Sequence, residues 1–160
     1  YQTMGIDAAT LSKSVVHTYL NNYKIVEGLA QKYGFNFYFF WPPHISYGEK
    51  SLTAEEQELK RVLDPALVKL YLSTYETIKP LFPEYKNLSN LSDVFDEYGT
   101  LLWLDDAHVT PVGNQIVAQK MLEILTAQAV LNIDGSPTVG YADRSVAAES
   151  RQSLGIAAMR

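Results

Sequence analysis

A chain of 160 residues with 47% hydrophobic composition is long enough for one domain with a real core and too short to expect two. Charged residues make up 19%, the formal net charge is −5, and acidic and basic side chains are scattered, so no electrostatic footprint for nucleic acid is present. Cysteine is absent, which excludes disulfides, thiolate zinc sites and a cysteine nucleophile, while cytosolic and exported locations both stay open.

The opening Tyr1-Gln-Thr-Met-Gly5 has neither a charged n-region nor an apolar h-region, and is read as a cut through a longer chain. From Asp7 or Thr10 to Tyr33, Val15, Tyr19, Tyr23, Val26, Ala30 and Tyr33 recur at helical spacing, widened by Leu11, Val16 and Leu29. Gly34 supplies the stop. Phe35 to Trp41 is aromatic and nearly continuous, as expected of a strand buried on both faces of a parallel sheet. It is the longest apolar stretch and falls far short of the roughly 20 residues that span a bilayer, so no membrane span is expected.

After Pro42-Pro43 and a loop from His44 to Ser51, Thr53-Ala-Glu-Glu56 fits a capping box and announces a helix. Asp64-Pro65 restarts that helix as N-cap and first helical residue, Leu67, Leu70, Tyr71 and Tyr75 continue its stripe, and Pro80 and Pro83 end it. Leu88 to Leu91 is a short strand candidate. Thr110-Pro111 then opens a last helix with Val117, Met121, Ile124 and Leu125 on its apolar face, running to about Gln128. Residues 129–160 change in texture, with a Gly135-Ser-Pro137 turn signal and many Ala and Ser, and are read as a peripheral tail of unknown role: a strand and helix, or partly disordered.

The chemistry concentrates in Asp105-Asp-Ala-His108-Val-Thr-Pro111-Val-Gly113-Asn114. An Asp three residues before a His in a tight loop can bring its carboxylate to the imidazole Nδ1, fixing the tautomer and leaving Nε2 to face a nucleophile. Pro111 starts the helix with φ already set, and Gly113 permits close backbone packing under the loop. The bland alternative is a capped surface loop. Asp106 invites a metal reading, but two carboxylates and one His lack a further ligand cluster, so no metal or other cofactor is expected. His44, at the end of the predicted strand, stands where open α/β sheets place ligand loops, and either lines a substrate site or packs in the loop. His17 is read as a partner to a neighbouring polar group or to solvent. Ser12, Ser14, Ser46 and Ser51 are given capping or turn duties.

The block Asp105-x-x-His108-x-x-Pro111-x-Gly113-Asn114 before an apolar helix resembles the last conserved block of SGNH/GDSL hydrolases. The order of elements is also similar to the second half of that fold over about residues 10 to 128: long helix, buried strand ending in Pro-Pro, helical insertion, short strand with Leu91-Ser-Asp-Val-Phe95, then the Asp/His block. The resemblance implies an α/β fold, a flavodoxin-like three-layer α/β/α sandwich with a parallel sheet, of which 1–128 would be the C-terminal portion and the N-terminal half of the same domain the missing partner. It implies a serine esterase, lipase-like or a carbohydrate acetylesterase, acting on a small-molecule ester or an acylated sugar or lipid. His108 would be general base and then acid, and Asp105 its orienter. The family's Gly-Asp-Ser nucleophile block, and its Gly and Asn oxyanion donors, would precede Tyr1. An acyltransferase on the same fold and a non-catalytic binding module are the competing readings.

Overall fold

Each α-helix among the described residues begins on a side chain suited to begin one. The structure, a computed structural model, describes residues 5–128. The tail expected at 129–160 lies outside the described residues. Asp7 caps α1 (Ala8–Tyr33), accepting from the Thr10 N–H at 2.8 Å and from its hydroxyl at 2.9 Å. Gly34 ends it at φ 69°, in the left-handed region that only glycine enters without strain, donating to the Ala30 carbonyl at 2.8 Å.

The face that α1 buries coincides with the expected one only in part: Val16, Tyr23 and Ala30 belong to both, and Tyr19 packs on the core. Ala8, Ser12, Val16, Leu20, Tyr23 and Ala30 point inward, whereas Val15, Leu29 and Tyr33 are exposed, Tyr33 at 71%. Ser12 belongs to the buried face: its hydroxyl meets Ser73 Oγ at 3.0 Å and Thr77 Oγ1 at 3.3 Å on the facing helix, so a polar residue is buried between α1 and its neighbour. Capping and turn duty, expected of this serine, is replaced by a buried inter-helix link.

Aromatic chain follows as β1 (Phe39–Trp41), shorter than the expected Phe35–Trp41 strand, with Phe35 exposed. It pairs in parallel with β2 (Leu88–Asn90), Phe39 opposite Leu88 and Trp41 opposite Asn90. These two strands form one sheet, and the architecture is mixed helix and parallel strand. Burial on both faces does not hold for β1, because Phe39 and Phe40 are only half-buried. Side chains alternate along a strand. Phe39, Trp41 and Leu88 enter the core with α1, while Tyr38 and Phe40 lie against each other, ring centres 5.0 Å apart, and Tyr38 reaches Ser89 Oγ at 2.9 Å.

Between the strands come α2 (Ala54–Arg61), opened by a complete Thr53/Glu56 capping box, and α3 (Pro65–Ile78), capped by Asp64 with Pro65 at its first turn. Pro80 and Pro83 fall in a 3₁₀ segment, Lys79–Glu84, that tightens the end of α3. α1 and α3 pack on each other and on the sheet around Val16, Leu20, Tyr23, Trp41, Tyr75, Ile78 and Leu88. Edge-to-face contacts, including Tyr23 on Phe37, Phe39 and Tyr85, and Tyr19 on Trp41 at 4.9 Å, set this core's geometry.

A second core gathers Ile45, Phe95, Leu102 and Trp103, with Leu59 of α2 and Ile116 and Val117 of α4 (Pro111–Ala127) against it. No helix among the described residues is long and apolar enough to cross a membrane. Ile78, the last residue of α3, is fully buried in the core that this helix shares with α1 and the sheet. Ile78→Ala is expected to destabilise the chain by about 2–5 kcal/mol, against about 0.5 kcal/mol or less for the exposed Val62→Ala, both read by urea denaturation with the slope unchanged.

Candidate active site

The loop between Trp103 and Val109 is a small hairpin with Asp105 and His108 at its tip. Trp103 and Val109 form an antiparallel bridge, the Leu104 N–H donates to the His108 carbonyl at 2.9 Å, and the Thr110 N–H donates to the Leu102 carbonyl at 2.8 Å. Asp105 closes the turn. Its Oδ1 accepts from the Ala107 N–H at 2.9 Å and the His108 N–H at 2.6 Å, the local bonding that makes Asp a turn residue. The other oxygen, Oδ2, lies 2.8 Å from His108 Nδ1.

One carboxylate thus does two things: it folds the loop and it orients the ring. The backbone N–H of His108, that of Ala107 and the His108 ring hold the Asp105 carboxyl down to about 2, below its ordinary 3.8, so it stays an acceptor. An accepting Oδ2 requires a proton on Nδ1, which leaves Nε2 as the basic nitrogen of the neutral ring. The His108 side chain is 80% exposed, and no described group bonds Nε2.

Below the tip the chain is tightly set. Thr110 caps α4 by accepting from the Gly113 N–H at 3.1 Å, and Pro111 takes the first helical position. Gly113 is buried, and a Cβ there would stand 2.8 Å from Val109 Cβ and 3.1 Å from the Leu102 carbonyl. The upstream arm is held by a group that sequence reasoning treated only as a helix cap. Glu56 is fully buried and its Oε1 accepts from the N–H groups of Leu102 at 2.8 Å and Trp103 at 3.1 Å. A Thr-x-x-Glu box signals the local bond to Thr53. Nothing in it signals a partner 46 residues away.

The hairpin sits beside the chain leaving β1, with a long 3.5 Å contact from the Ile45 N–H to the Asp106 carbonyl. The hairpin therefore meets the chain four residues beyond the end of β1. His44 is nearby but does not line an open site. It is buried, its ring stacks on Tyr71 with centres 3.7 Å apart, and Nδ1 accepts from the Ser46 N–H at 3.1 Å. Loop packing is what the structure gives it. Burial pushes it down from 6.5 to about 4, Asp106 opposing and Lys60 assisting. Among the described residues, His44 Nε2, Ser46 Oγ and Trp41 Nε1 are buried without a hydrogen-bond partner. His17 lies on exposed α1 surface, 3.4 Å from the Asn21 amide, as a partner to a neighbouring polar group. No group of three or more His, Asp or Glu among the described residues could hold a metal ion.

Comparison with known proteins finds no family model, no curated protein and no solved structure that matches the chain.

Gly113→Ala would stabilise an ordinary helix by about 1 kcal/mol; here the crowding reverses the sign, and a loss of about 1–3 kcal/mol is expected in thermal or urea melts. His44 supplies a pH test. Its folded value lies below its unfolded one, so the unfolded chain binds the proton first, and the stability from keeping the ring neutral is complete above about 6.5 and drains away towards about 4. His44→Phe is expected to flatten the fall in stability across that window. An unchanged slope between those pH values would show that another group titrates there.

Proposed function

We propose that the chain carries the base and its orienter of an ester hydrolase of the SGNH/GDSL kind, within a flavodoxin-like α/β/α sandwich. The observation that carries this reading is the 2.8 Å approach of Asp105 Oδ2 to His108 Nδ1, made by a carboxylate whose other oxygen is tied to the backbone of the same turn. Its position supports the reading too, since ligands in open α/β sheets gather at the carboxyl ends of strands. Each strand of the two-stranded sheet has one unpaired edge among the described residues, and the buried polar atoms of Trp41, His44 and Ser46 want partners. Further strands from an upstream half of the domain would answer both needs.

In the proposed reaction a serine from that upstream half attacks the ester carbonyl while its proton passes to His108 Nε2. The imidazolium, steadied by Asp105, returns the proton to the departing alcohol. Water then repeats the relay on the acyl-enzyme, releasing the acid. Asp105 and His108 thus supply proton relay and orientation; nucleophile and oxyanion donors come from elsewhere.

The test is hydrolysis of a short-chain aryl ester. The 160-residue chain alone is expected to show no turnover sensitive to serine reagents, and the chain joined to a Gly-Asp-Ser upstream half to be active. In that assembled domain His108→Ala should lower kcat by about 10²–10⁴-fold. Robust His108-dependent turnover by the 160-residue chain would overturn the placement of the nucleophile. An intact upstream half lacking the serine would leave a binding module in place of the enzyme. Transfer to a sugar hydroxyl in place of water would make it an acyltransferase.

A further inference from the structure

Successive N–H groups of an extended strand point to opposite sides, so those of Leu102 and Trp103 could not both bond one neighbouring strand. In the arm that delivers Asp105 they turn to the same side and converge on a single carboxylate. Glu56 Oε1 takes both, at 2.8 and 3.1 Å, and both residues are buried, Leu102 completely. Glu56 Oε2 is held in turn by the Lys50 ammonium at 2.6 Å and the Thr53 N–H at 2.9 Å. Lys50 is itself 5% exposed at its side chain, so both ions of the pair are withdrawn from water. Burial pushes the Glu56 carboxyl up, but bonds from Lys50, Leu102, Thr53 and Trp103 outweigh it and hold it below the ordinary value.

The opposite side of the same two residues carries the hairpin. The Leu102 carbonyl accepts from Thr110, and Trp103 bridges to Val109. Residues 102 and 103 are therefore clamped between a buried ion pair and the descending arm, and Asp105 follows two residues later. We infer that the Lys50–Glu56 pair is a positioning device for Asp105 and His108, setting the arm from which the Asp105 carboxylate reaches the ring. The inference rests on the hydrolase reading for its meaning, but its geometry and its test do not. Glu56 touches neither ring nor substrate; it acts through the backbone of Leu102 and Trp103.

Clamping predicts a state of the imidazole that overall stability does not. With Asp105 in place, neutral His108 carries its proton on Nδ1; freed from Asp105 it moves towards the Nε2–H form that free imidazole side chains prefer. The experiment is ¹H–¹⁵N correlation of the His108 ring, in its neutral form, in the full chain. Glu56→Gln keeps the shape and removes the charge. It is expected to lower the Nδ1–H fraction at least about twofold, with shifts at the Leu102 and Trp103 amides.

Two comparisons separate positioning from loosening. Thr53→Ala removes the neighbouring helix cap, so the melting temperature should fall while the ring keeps its tautomer. Glu58→Gln, on the exposed side of the same helix and paired with Arg61, should alter neither. If Thr53→Ala moves the tautomer as far as Glu56→Gln does, or Glu56→Gln leaves it unmoved, the inference fails. Should Glu56→Gln not melt cooperatively, Lys50→Met takes its place, because it removes the ammonium from Oε2 and leaves the carboxylate and its Thr53 bond. A shift in the same direction is then expected, and an unmoved tautomer overturns the inference. A tautomer shift in a domain without esterase activity would defeat the hydrolase reading alone. An active hydrolase with an unmoved tautomer would defeat this one alone.

Discussion

A carboxylate placed where water cannot reach is a severe constraint, and the fold around the candidate site is arranged to satisfy it. Glu56 is fully buried, and an isolated ion there would be far too costly to keep. It persists because an ammonium and three backbone N–H groups converge on it, drawn from four positions of the chain: Lys50, Thr53, Leu102 and Trp103. Removing one member of such a buried pair typically costs about 3–5 kcal/mol, since the survivor is left charged and unpaired. Much of the second core follows from this. Trp103 is brought against Phe95 at 5.3 Å, edge to face, and the hairpin, the Thr110 cap and the first turn of α4 are hung from the arm so fixed.

The two cores divide the labour. Around Trp41, Tyr23 and Ile78 the interlocked rings and helices set the strands and their direction. Around Leu102 and Phe95 a smaller cluster sets the loop that meets the chain leaving β1. Tyr75 ties the first core to the chain leaving β1, its hydroxyl donating to the Pro42 carbonyl at 2.8 Å. His44 stacks on Tyr71 of α3, and the backbone of the next residue, Ile45, meets Asp106. The path from aromatic core to hairpin is thus continuous, through buried contacts.

Local signals were legible in the sequence because they are satisfied locally. Asp7, Thr53, Asp64 and Thr110-Pro111 each cap the helix they announce, Gly34 stops α1, and Asp105 meets His108 three residues on. Distant satisfaction was not legible. A hydrophobic pattern could not place Ser12 in the interface of a helix pair, because its partners lie 61 and 65 residues away, so the α1 stripe was right at Val16, Tyr23 and Ala30 and missed Ser12. His44 read as a site residue for its position after β1, yet Tyr71 and the Ser46 N–H claim its ring. Glu56 shows both cases in one side chain: the oxygen bonded to Thr53 was readable, and the oxygen bonded to Leu102 and Trp103 was not.

Exposure decides how Asp105 and His108 are held together. With the His108 side chain 80% exposed and that of Asp105 49% exposed, their mutual attraction is screened by water and adds little to stability. Attraction alone would not hold such a pair in one geometry. What holds it is covalent and backbone architecture: Oδ1 locked on two N–H groups of the turn, the turn closed by Trp103 and Val109, and the arm fixed on Glu56. A fold that spends a buried ion pair on the placement of an exposed imidazole gains no comparable stability from the imidazole itself. The arrangement makes sense for a ring whose Nε2 must meet a reacting group at a set position. Nε2 is open on the described surface, so the proposed chemistry needs an adjoining part of the domain to bring the nucleophile and the oxyanion donors against it.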